Sequence, residues 1–154
     1  MTVNADLTGR RVMVVGGSSG LGRASALAAA RAGASIAVVG RRENLLDEVV
    51  AEAAGLSAGK AVKIVADVCE PGAAARAVDE AVAGMGGIDC LLLTLAWSPF
   101  GLLSETDEQA WQKAMATNVM APSLITRAAV LVLAEGGLVG YGSPTVAEKP
   151  AHGL

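Results

Sequence analysis

A glycine-rich turn near the amino terminus constrains the fold of this chain more than any other feature. The turn reads Gly16-Gly17-Ser18-Ser19-Gly20-Leu21-Gly22. An apolar stretch, residues 12–15, precedes it and an alanine-rich stretch, residues 23–30, follows it, which predicts a strand, a turn and a helix start. Glycines let the backbone approach a phosphate, and a helix N-terminus directs free N–H groups towards it. The turn therefore predicts an anion site, with a glycine-rich turn that binds nothing as the alternative.

Length and composition indicate a single α/β domain over residues 1–154. A chain of 154 residues is long enough to bury a core and too short for two ordinary domains. Hydrophobic residues make up 53% of it, which suits a parallel sheet that is buried on both faces. The net charge of -3 provides no basic field for nucleic acid. No apolar stretch approaches the ~18 residues that cross a bilayer, so no membrane partner is expected.

The amino terminus and the cysteines indicate a cytoplasmic protein. Residues 1–11 contain no apolar segment of the kind found in a signal peptide. Cys69 and Cys90 are interpreted as buried free thiols in a reducing compartment. His152 is the only histidine and lies near the terminus, so no metal site is expected.

Strands and helices alternate along the chain. Apolar runs predict strands at residues 11–15, 35–39, 61–66, 90–95 and 138–141, and helical periodicity predicts helices at residues 21–32, 43–54 and 73–83. A longer helical region is predicted from Asp107 to Ala134, begun by a Thr106 cap and kinked near Asn118 and Pro122. Alternating elements with short connections imply right-handed crossovers and a doubly wound parallel sheet.

The end of the second strand indicates which dinucleotide would fit such a sheet. An NAD site usually has an acidic residue there, which accepts hydrogen bonds from the adenosine ribose. This strand ends in Gly40-Arg41-Arg42, without a carboxylate. Two guanidinium groups can bind a 2′-phosphate in a bidentate way. NADP(H) is therefore the predicted cofactor, NAD(H) is disfavoured, and a solvated arginine pair is the alternative.

Several segments resemble motifs of the short-chain dehydrogenase/reductase family. Residues 15–22 resemble its T-G-x-x-x-G-x-G turn, with Val15 in place of the threonine. Residues 66–68 match the segment in which an Asp side chain, here Asp67, and the next backbone group, here that of Val68, contact adenine. Residues 117–119 match the helix segment that carries the active-site Asn, here Asn118. Residues 137–143 resemble the fifth strand, which ends at the catalytic Ser, here Ser143.

This resemblance implies a Rossmann-type, three-layer α/β/α fold with five strands of this chain in the order 3-2-1-4-5. It also implies an oxidoreductase that passes a hydride between nicotinamide and a small-molecule carbonyl or secondary alcohol. Asn118 would support a water of the proton relay, and Ser143 would hold the substrate oxygen. The expected cofactor-binding residues are Gly16, Ser18, Ser19, Gly20, Leu21, Gly22, Arg41, Arg42, Asp67, Val68 and Ala96.

The chain departs from the family pattern after the fourth strand. The family has an N-N-A-G segment there, which stabilises the sheet and lines the cofactor. This chain reads Leu93-Thr94-Leu95-Ala96-Trp97, without either asparagine. The register of the match is open by one residue. Trp97 is expected to crowd the nicotinamide side, and the hydrogen bonds of the missing amides are expected to be made elsewhere.

A second departure concerns proton transfer. The family's proton donor is a Tyr about thirteen residues after the Ser, with a Lys four residues later that helps to lower its pKa. Counted from Ser143, that Tyr would fall just past Leu154. A shortened natural sequence is the favoured interpretation, and the fifth strand would then be an open edge that needs a cap, for instance in a homo-oligomer. A non-catalytic dinucleotide-binding or protein-interaction module and a nucleotide-free remnant are the alternatives.

Overall fold

The computed structural model describes residues 5–56, 59–99 and 101–143, so that His152 lies outside the described residues. Five strands form one sheet: β1 (Arg11–Val15), β2 (Ser35–Gly40), β3 (Ala61–Val65), β4 (Ile88–Leu93) and β5 (Leu133–Tyr141). The helices that connect them are α1 (Gly20–Arg31), α2 (Glu43–Ala54), α3 (Ala73–Met85), α4 (Glu108–Met115) and α5 (Ala121–Ala129). A π-helical turn, Ala116–Met120, joins α4 to α5.

The strands lie in the order β3-β2-β1-β4-β5, and every pair is parallel. This confirms the predicted doubly wound sheet and its strand order. Val15 at the end of β1 pairs with Val39 of β2 and with Leu93 of β4, and Leu93 pairs with Tyr141 of β5. The carboxyl ends of the strands therefore meet at one edge of the sheet. That the whole of residues 1–154 forms one domain stays a prediction.

Two apolar clusters pack on the two faces of this sheet because side chains of a strand alternate between them. Met13 and Val15 belong to the cluster formed with α3 and α5, which includes Val78 and Ile125. Val12 and Val14 belong to the other cluster, which is formed with α1 and α2. Both faces of β1 are thus covered, which explains its uninterrupted apolar sequence.

The predicted long helix is shorter at its carboxyl end than expected, and its cap was misassigned. The last helix ends at Ala129, and β5 begins at Leu133, inside the region predicted as helical. The apolar residues 130–132 form an exposed turn between them, because an apolar run alone does not show where a helix ends. Asp107 caps α4, because its side chain accepts a hydrogen bond from the backbone N–H of Ala110 at 2.8 Å. Thr106 instead donates its hydroxyl to the carbonyl of Leu102 at 3.2 Å.

The interpretation of both cysteines as buried was wrong for Cys69. Its side chain is exposed, because it follows β3 at the open edge of the sheet, whereas that of Cys90 is partly buried within β4. Burial raises the pKa of the Cys90 thiol, and neighbouring Asp89 raises it further. Both cysteines are free thiols.

An ion pair joins the starts of β1 and β4. Asp89 accepts hydrogen bonds from the backbone N–H of Arg11 at 2.9 Å, from its Nε at 2.7 Å and from its Nη2 at 3.1 Å. Arg11 also donates Nη1 to the carbonyl of Gly86 at 2.6 Å. The hydrogen bonds from Arg11 lower the pKa of the Asp89 carboxyl below its usual value. This bidentate pair holds two neighbouring strands in register at the edge opposite the carboxyl ends.

The fifth strand is an edge of the sheet within the described residues. It pairs with β4 only, and the side chains of Leu138 and Tyr141 are 63% and 58% exposed. That another element or a second copy caps this edge stays a prediction. The Tyr141 hydroxyl lies 2.6 Å from Oγ1 of Thr126 on α5.

We expect the Asp89–Arg11 pair to make stability sensitive to acid. The folded-state pKa of Asp89 is depressed, so the stabilisation is complete above the unfolded pKa of about 3.9 and is lost as the pH falls through the folded pKa. The loss of Tm between about pH 6 and about pH 3 should therefore be smaller in Asp89→Asn than in the wild type. Asp79→Asn, which changes an exposed carboxylate on α3, is the control. An equal loss of Tm in Asp89→Asn and the wild type would contradict the assignment.

Candidate functional site

A cavity of about 240 Å³ opens at the carboxyl ends of the strands. It lies beside β1 and β4, where the strand order reverses, which is the usual place for ligands in open α/β sheets. Predicted cofactor-binding residues form much of its wall. Those that line it are Gly16, Ser18, Ser19, Arg41, Arg42, Asp67, Val68 and Ala96.

The glycine turn is held against β2 and leaves space on its outer side. The backbone N–H groups of Gly16 and Gly17 both donate to the carbonyl of Val39, at 2.9 Å and 3.1 Å. Gly16 has a φ of +87° and Gly20 a φ of +53°. Both values favour glycine over residues with a side chain. Apart from its two chain neighbours and the adjacent backbone of α1, no atom of the described chain lies within 4 Å of the position that a Cβ of Gly20 would occupy.

Gly22 has the opposite surroundings from Gly20. A Cβ on Gly22 would collide with the carbonyl oxygen of Gly16 and with Oγ1 of Thr94. Gly20, Leu21 and Gly22 lie in the first turn of α1 and do not line the cavity itself. Gly22 therefore allows the helix to approach the strand ends closely, whereas Gly20 leaves open space in front of the turn.

Thr94 makes a hydrogen bond in the segment where this chain lacks the family's asparagines. Its Oγ1 donates to the carbonyl of Val15 at 2.9 Å, and its backbone N–H donates to the same carbonyl at 2.9 Å. A short hydroxyl thus ties the end of β4 to the end of β1. This role of Thr94 was not predicted, although a hydroxyl in an otherwise apolar run indicates a specific hydrogen bond.

Arg42 lies across the glycine turn. Its Nη2 donates to Oγ of Ser18 at 3.0 Å and to Oγ of Ser19 at 2.7 Å. Because both hydroxyl oxygens accept from the guanidinium, their own protons remain available for an anion. The Arg42 guanidinium, the hydroxyls of Ser18 and Ser19 and the N-terminus of α1 therefore lie close together, an arrangement that suits an anion.

Arg41 and Asp67 face each other at the ends of β2 and β3. Arg41 Nη1 lies 3.5 Å from Oδ2 of Asp67, and the Arg41 side chain is 71% exposed. Asp67 also accepts a hydrogen bond from the backbone N–H of Cys69 at 3.0 Å through Oδ1. Val68 is buried beside them. The carboxylate is therefore fixed by its own loop, and an exposed pair of this kind contributes little to stability.

Asn118 fixes the backbone of Trp97. Its Oδ1 accepts from the Trp97 N–H at 2.8 Å, and its Nδ2 donates to the Trp97 carbonyl at 2.6 Å. Asn118 lies in the π-helical turn, where the predicted kink was placed. The ammonium of Lys113 lies 4.2 Å from the centre of the Trp97 ring. Trp97 is thus held through its backbone and its ring.

The structure does not bring every predicted residue to the cavity. Ser143 follows the end of β5, is exposed and does not line the cavity. Further side chains that line the cavity were not predicted, among them Cys69, Lys113 and Thr117. Cys69 directly follows the Asp67-Val68 segment, and Lys113 and Thr117 are four residues apart on one helical face, so both positions offered a signal.

Residues 5–56, 59–99 and 101–143 lack two further kinds of feature. No group of three or more His, Cys, Asp or Glu side chains could hold a metal ion there. In the same ranges, no helix is long and apolar enough to span a membrane.

The family model described as short chain dehydrogenase matches residues 10–143. The chain therefore belongs to the short-chain dehydrogenase/reductase family. It is 37% identical over 153 residues to a short chain dehydrogenase from Pseudocercospora fijiensis, a match that covers 94% of this chain and 48% of that protein. It is 33% identical over 160 residues to dehydrogenase/reductase SDR family member 4 from Homo sapiens, covering 100% of this chain and 56% of that protein. The chain thus spans about half the length of these curated relatives.

Solved structures agree with the fold. A short chain dehydrogenase from Burkholderia cenocepacia J2315, crystallised in complex with NADP, superposes with a TM-score of 0.87 at 32% identity. The match covers 96% of this chain and 60% of the crystallised one. The likeness therefore includes nearly the whole described chain and the edge of the sheet at which the cavity opens.

We expect Gly22→Ala to destabilise the fold. Alanine is the better helix former by about 1 kcal/mol, but its Cβ would meet the Gly16 carbonyl oxygen, which cannot move without breaking the turn. The cost of overpacking should exceed the gain in helix propensity and lower the free energy of unfolding by about 1–3 kcal/mol in a denaturant titration. Gly55→Ala is the matched control, because Gly55 has a φ of -80° and its Cβ would have no atom closer than 3.5 Å. Equal stabilities of the two variants would contradict the packing argument.

Proposed function

We propose that this chain provides the NADP(H)-binding part of an oxidoreductase. Its reaction would transfer a hydride between nicotinamide and a small-molecule carbonyl or secondary alcohol. The observation that carries the proposal is the position of Arg42, whose guanidinium contacts the hydroxyls of Ser18 and Ser19 on the glycine turn. Such a cluster suits a phosphate group beside the pyrophosphate turn.

The residues at the cavity fit a dinucleotide. The open space in front of Gly20 would admit the pyrophosphate, towards which the first turn of α1 directs its N–H groups. Asp67 and Val68 would contact adenine, and Ala96 lies in the wall of the cavity. When bound, the cofactor would supply a hydride from C4 of its nicotinamide ring.

The charges around the end of β2 favour NADP(H) over NAD(H). Two carboxylates lie near the arginine pair, and each is already engaged by a cation. Lys63 donates to Glu43 at 2.9 Å, and Arg41 lies 3.5 Å from Asp67. Arg42 makes no ion pair within the described ranges 5–56, 59–99 and 101–143, so its charge is available to a 2′-phosphate.

The catalytic roles of Asn118 and Ser143 are part of the proposal. Asn118 would position the segment that carries Trp97, since both ends of its amide bind the Trp97 backbone. Ser143 follows the end of β5 by two residues, at the carboxyl edge of the sheet where the cavity opens. From there it would hold the substrate oxygen, while a separate group transfers the proton.

The proposed setting follows from the surface and the thiols. The exposed side chains of Leu138 and Tyr141 at β5 support assembly with a second copy that covers this edge. Free Cys69 and Cys90 support a reducing compartment, the cytoplasm.

One observation favours a second candidate, a non-catalytic dinucleotide-binding module. The only tyrosine of the sequence is Tyr141, and residue 145, four positions after it, is a threonine. The Tyr141 hydroxyl is also hydrogen-bonded to the Thr126 hydroxyl. Both candidate functions use the cofactor cavity, but only the oxidoreductase would turn over a substrate.

We expect tighter binding of NADPH than of NADH, by about ten-fold or more, because a hydrogen bond to a charged group contributes roughly 1.5–3 kcal/mol. Isothermal titration of both cofactors should show this preference in the wild type and its loss in Arg42→Ala. Arg76→Ala, which removes an exposed guanidinium from α3, should keep it. Equal affinities of the wild type for both cofactors would refute the NADP(H) assignment.

We expect the 154-residue polypeptide to bind NADPH without oxidising it. Asn118 and Ser143 can orient a substrate but do not supply a proton with a suitable pKa, and a positioned acid is worth about 10²–10⁴-fold. NADPH oxidation should be followed with a panel of aldehydes and ketones. The comparison is a chimera that continues after Ser143 with the corresponding part of the Burkholderia cenocepacia relative. Comparable rates in the two proteins, lost in Tyr141→Phe, would identify Tyr141 as the proton donor and overturn this expectation.

A further inference from the structure

A second cavity of about 480 Å³ lies beside the first. The connection between β4 and α4 and one face of α4 line it, and it is open to solvent on one side. Its apolar wall includes Trp97, Leu102, Leu103, Trp111 and Ala114. The volume is within the range of about 300–1,000 Å³ that is usual for small-molecule sites.

The polar side chains in this wall are already engaged with the backbone. Ser98 donates its hydroxyl to the Pro99 carbonyl at 3.2 Å, and Thr106 donates to the Leu102 carbonyl at 3.2 Å. The amide of Asn118 is paired with the backbone of Trp97. Among the lining residues that the structure describes, none is charged. The cavity is open to solvent, since Leu102, Leu103 and Trp111 are 49%, 74% and 49% exposed. Its described wall offers apolar contact and no opposite charge, which favours an uncharged apolar group over a charged one.

Trp97 is the wall shared by the two cavities. Its backbone is held by Asn118, and its ring by the Lys113 ammonium at 4.2 Å. Helix α4 contributes to both cavities, because Lys113 lines the first and Ala114 the second. A ligand in the second cavity would thus lie next to a dinucleotide in the first, and the Trp97 indole would border both ligands.

We infer that the second cavity binds the uncharged aryl part of a carbonyl or alcohol substrate. Two indole rings, Trp97 and Trp111, can stack on an aryl ring or meet its edge. The adjoining cofactor cavity is the reason to assign this space to the reacting substrate. The assignment as substrate rests on the proposed function, whereas the binding of aryl compounds does not.

The two tryptophans make the inference directly measurable. They are the only tryptophans of the sequence, so each indole N–H signal in an NMR spectrum reports on a residue of this wall. Acetophenone should shift both signals saturably. 4-Acetylbenzoate, which adds a carboxylate to the same ring, should bind about ten-fold more weakly or not at all.

A variant that fills the cavity supplies the control within the protein. Ala114→Leu keeps a good helix former and places a larger side chain into the space, so acetophenone binding should weaken at least about ten-fold. Ala75→Leu makes the same change at an exposed position of α3 and should leave binding unchanged. Trp111→Ala, which removes one ring of the wall, should also weaken binding. The unfolding transition of each variant checks that it is folded.

Titration of NADPH on the same samples separates this inference from the proposed function. Binding of acetophenone without binding of NADPH would support the aryl site and refute the cofactor proposal. Unshifted indole signals, equal affinity for the ketone and its carboxylate, or unchanged affinity in Ala114→Leu would each overturn the aryl site. None of these results would contradict the proposal that the first cavity binds NADPH.

Discussion

The close approach of three backbone segments at the end of β1 is the constraint on which the rest of the structure depends. The first turn of α1, the end of β1 and the end of β4 meet around Gly16, Gly22 and Thr94, with no room for a Cβ on Gly22. The Thr94 hydroxyl and the Val15 carbonyl hold the strand ends together at this point. Because the strands are aligned here, the loops that follow β2 and β3 reach the same cavity.

The order of elements could be predicted from the sequence because both faces of the sheet are buried. Val12–Val15 of β1 is apolar throughout, and α2 begins and ends where its pattern of apolar residues predicts, at Glu43 and Ala54. The pattern failed at the end of the last helix, where the apolar sequence continues through an exposed turn. Residues 130–133 continue the helical sequence, yet they lead into β5, because the sheet offers a partner strand in β4. Such tertiary pairing has no local signal.

The candidate site could be predicted only as a set of residues. The sequence indicated that the glycine turn and the Arg41-Arg42 pair act on the same ligand, and the structure brings them into one cavity. It did not indicate that Arg42 reaches back to Ser18 and Ser19, which depends on the parallel register of β1 and β2. It also gave no means to predict that Asn118 binds the backbone of Trp97, because these residues are separated by a connection without regular spacing.

The replacement of the expected asparagines by an apolar segment has a consistent physical consequence. The Thr94 hydroxyl donates a hydrogen bond to the Val15 carbonyl, from a side chain shorter than that of asparagine. The amide of Asn118 binds the backbone of Trp97. Trp97 can then extend its ring between two cavities without leaving a buried polar group unpaired, within the part of the chain that the structure describes. The hydrogen bonds at this segment are thus made by the Thr94 hydroxyl and the Asn118 amide, and Leu95, Ala96 and Trp97 line the first cavity. The segment that departs from the family pattern is therefore also the one that places a residue, Trp97, in the walls of both cavities.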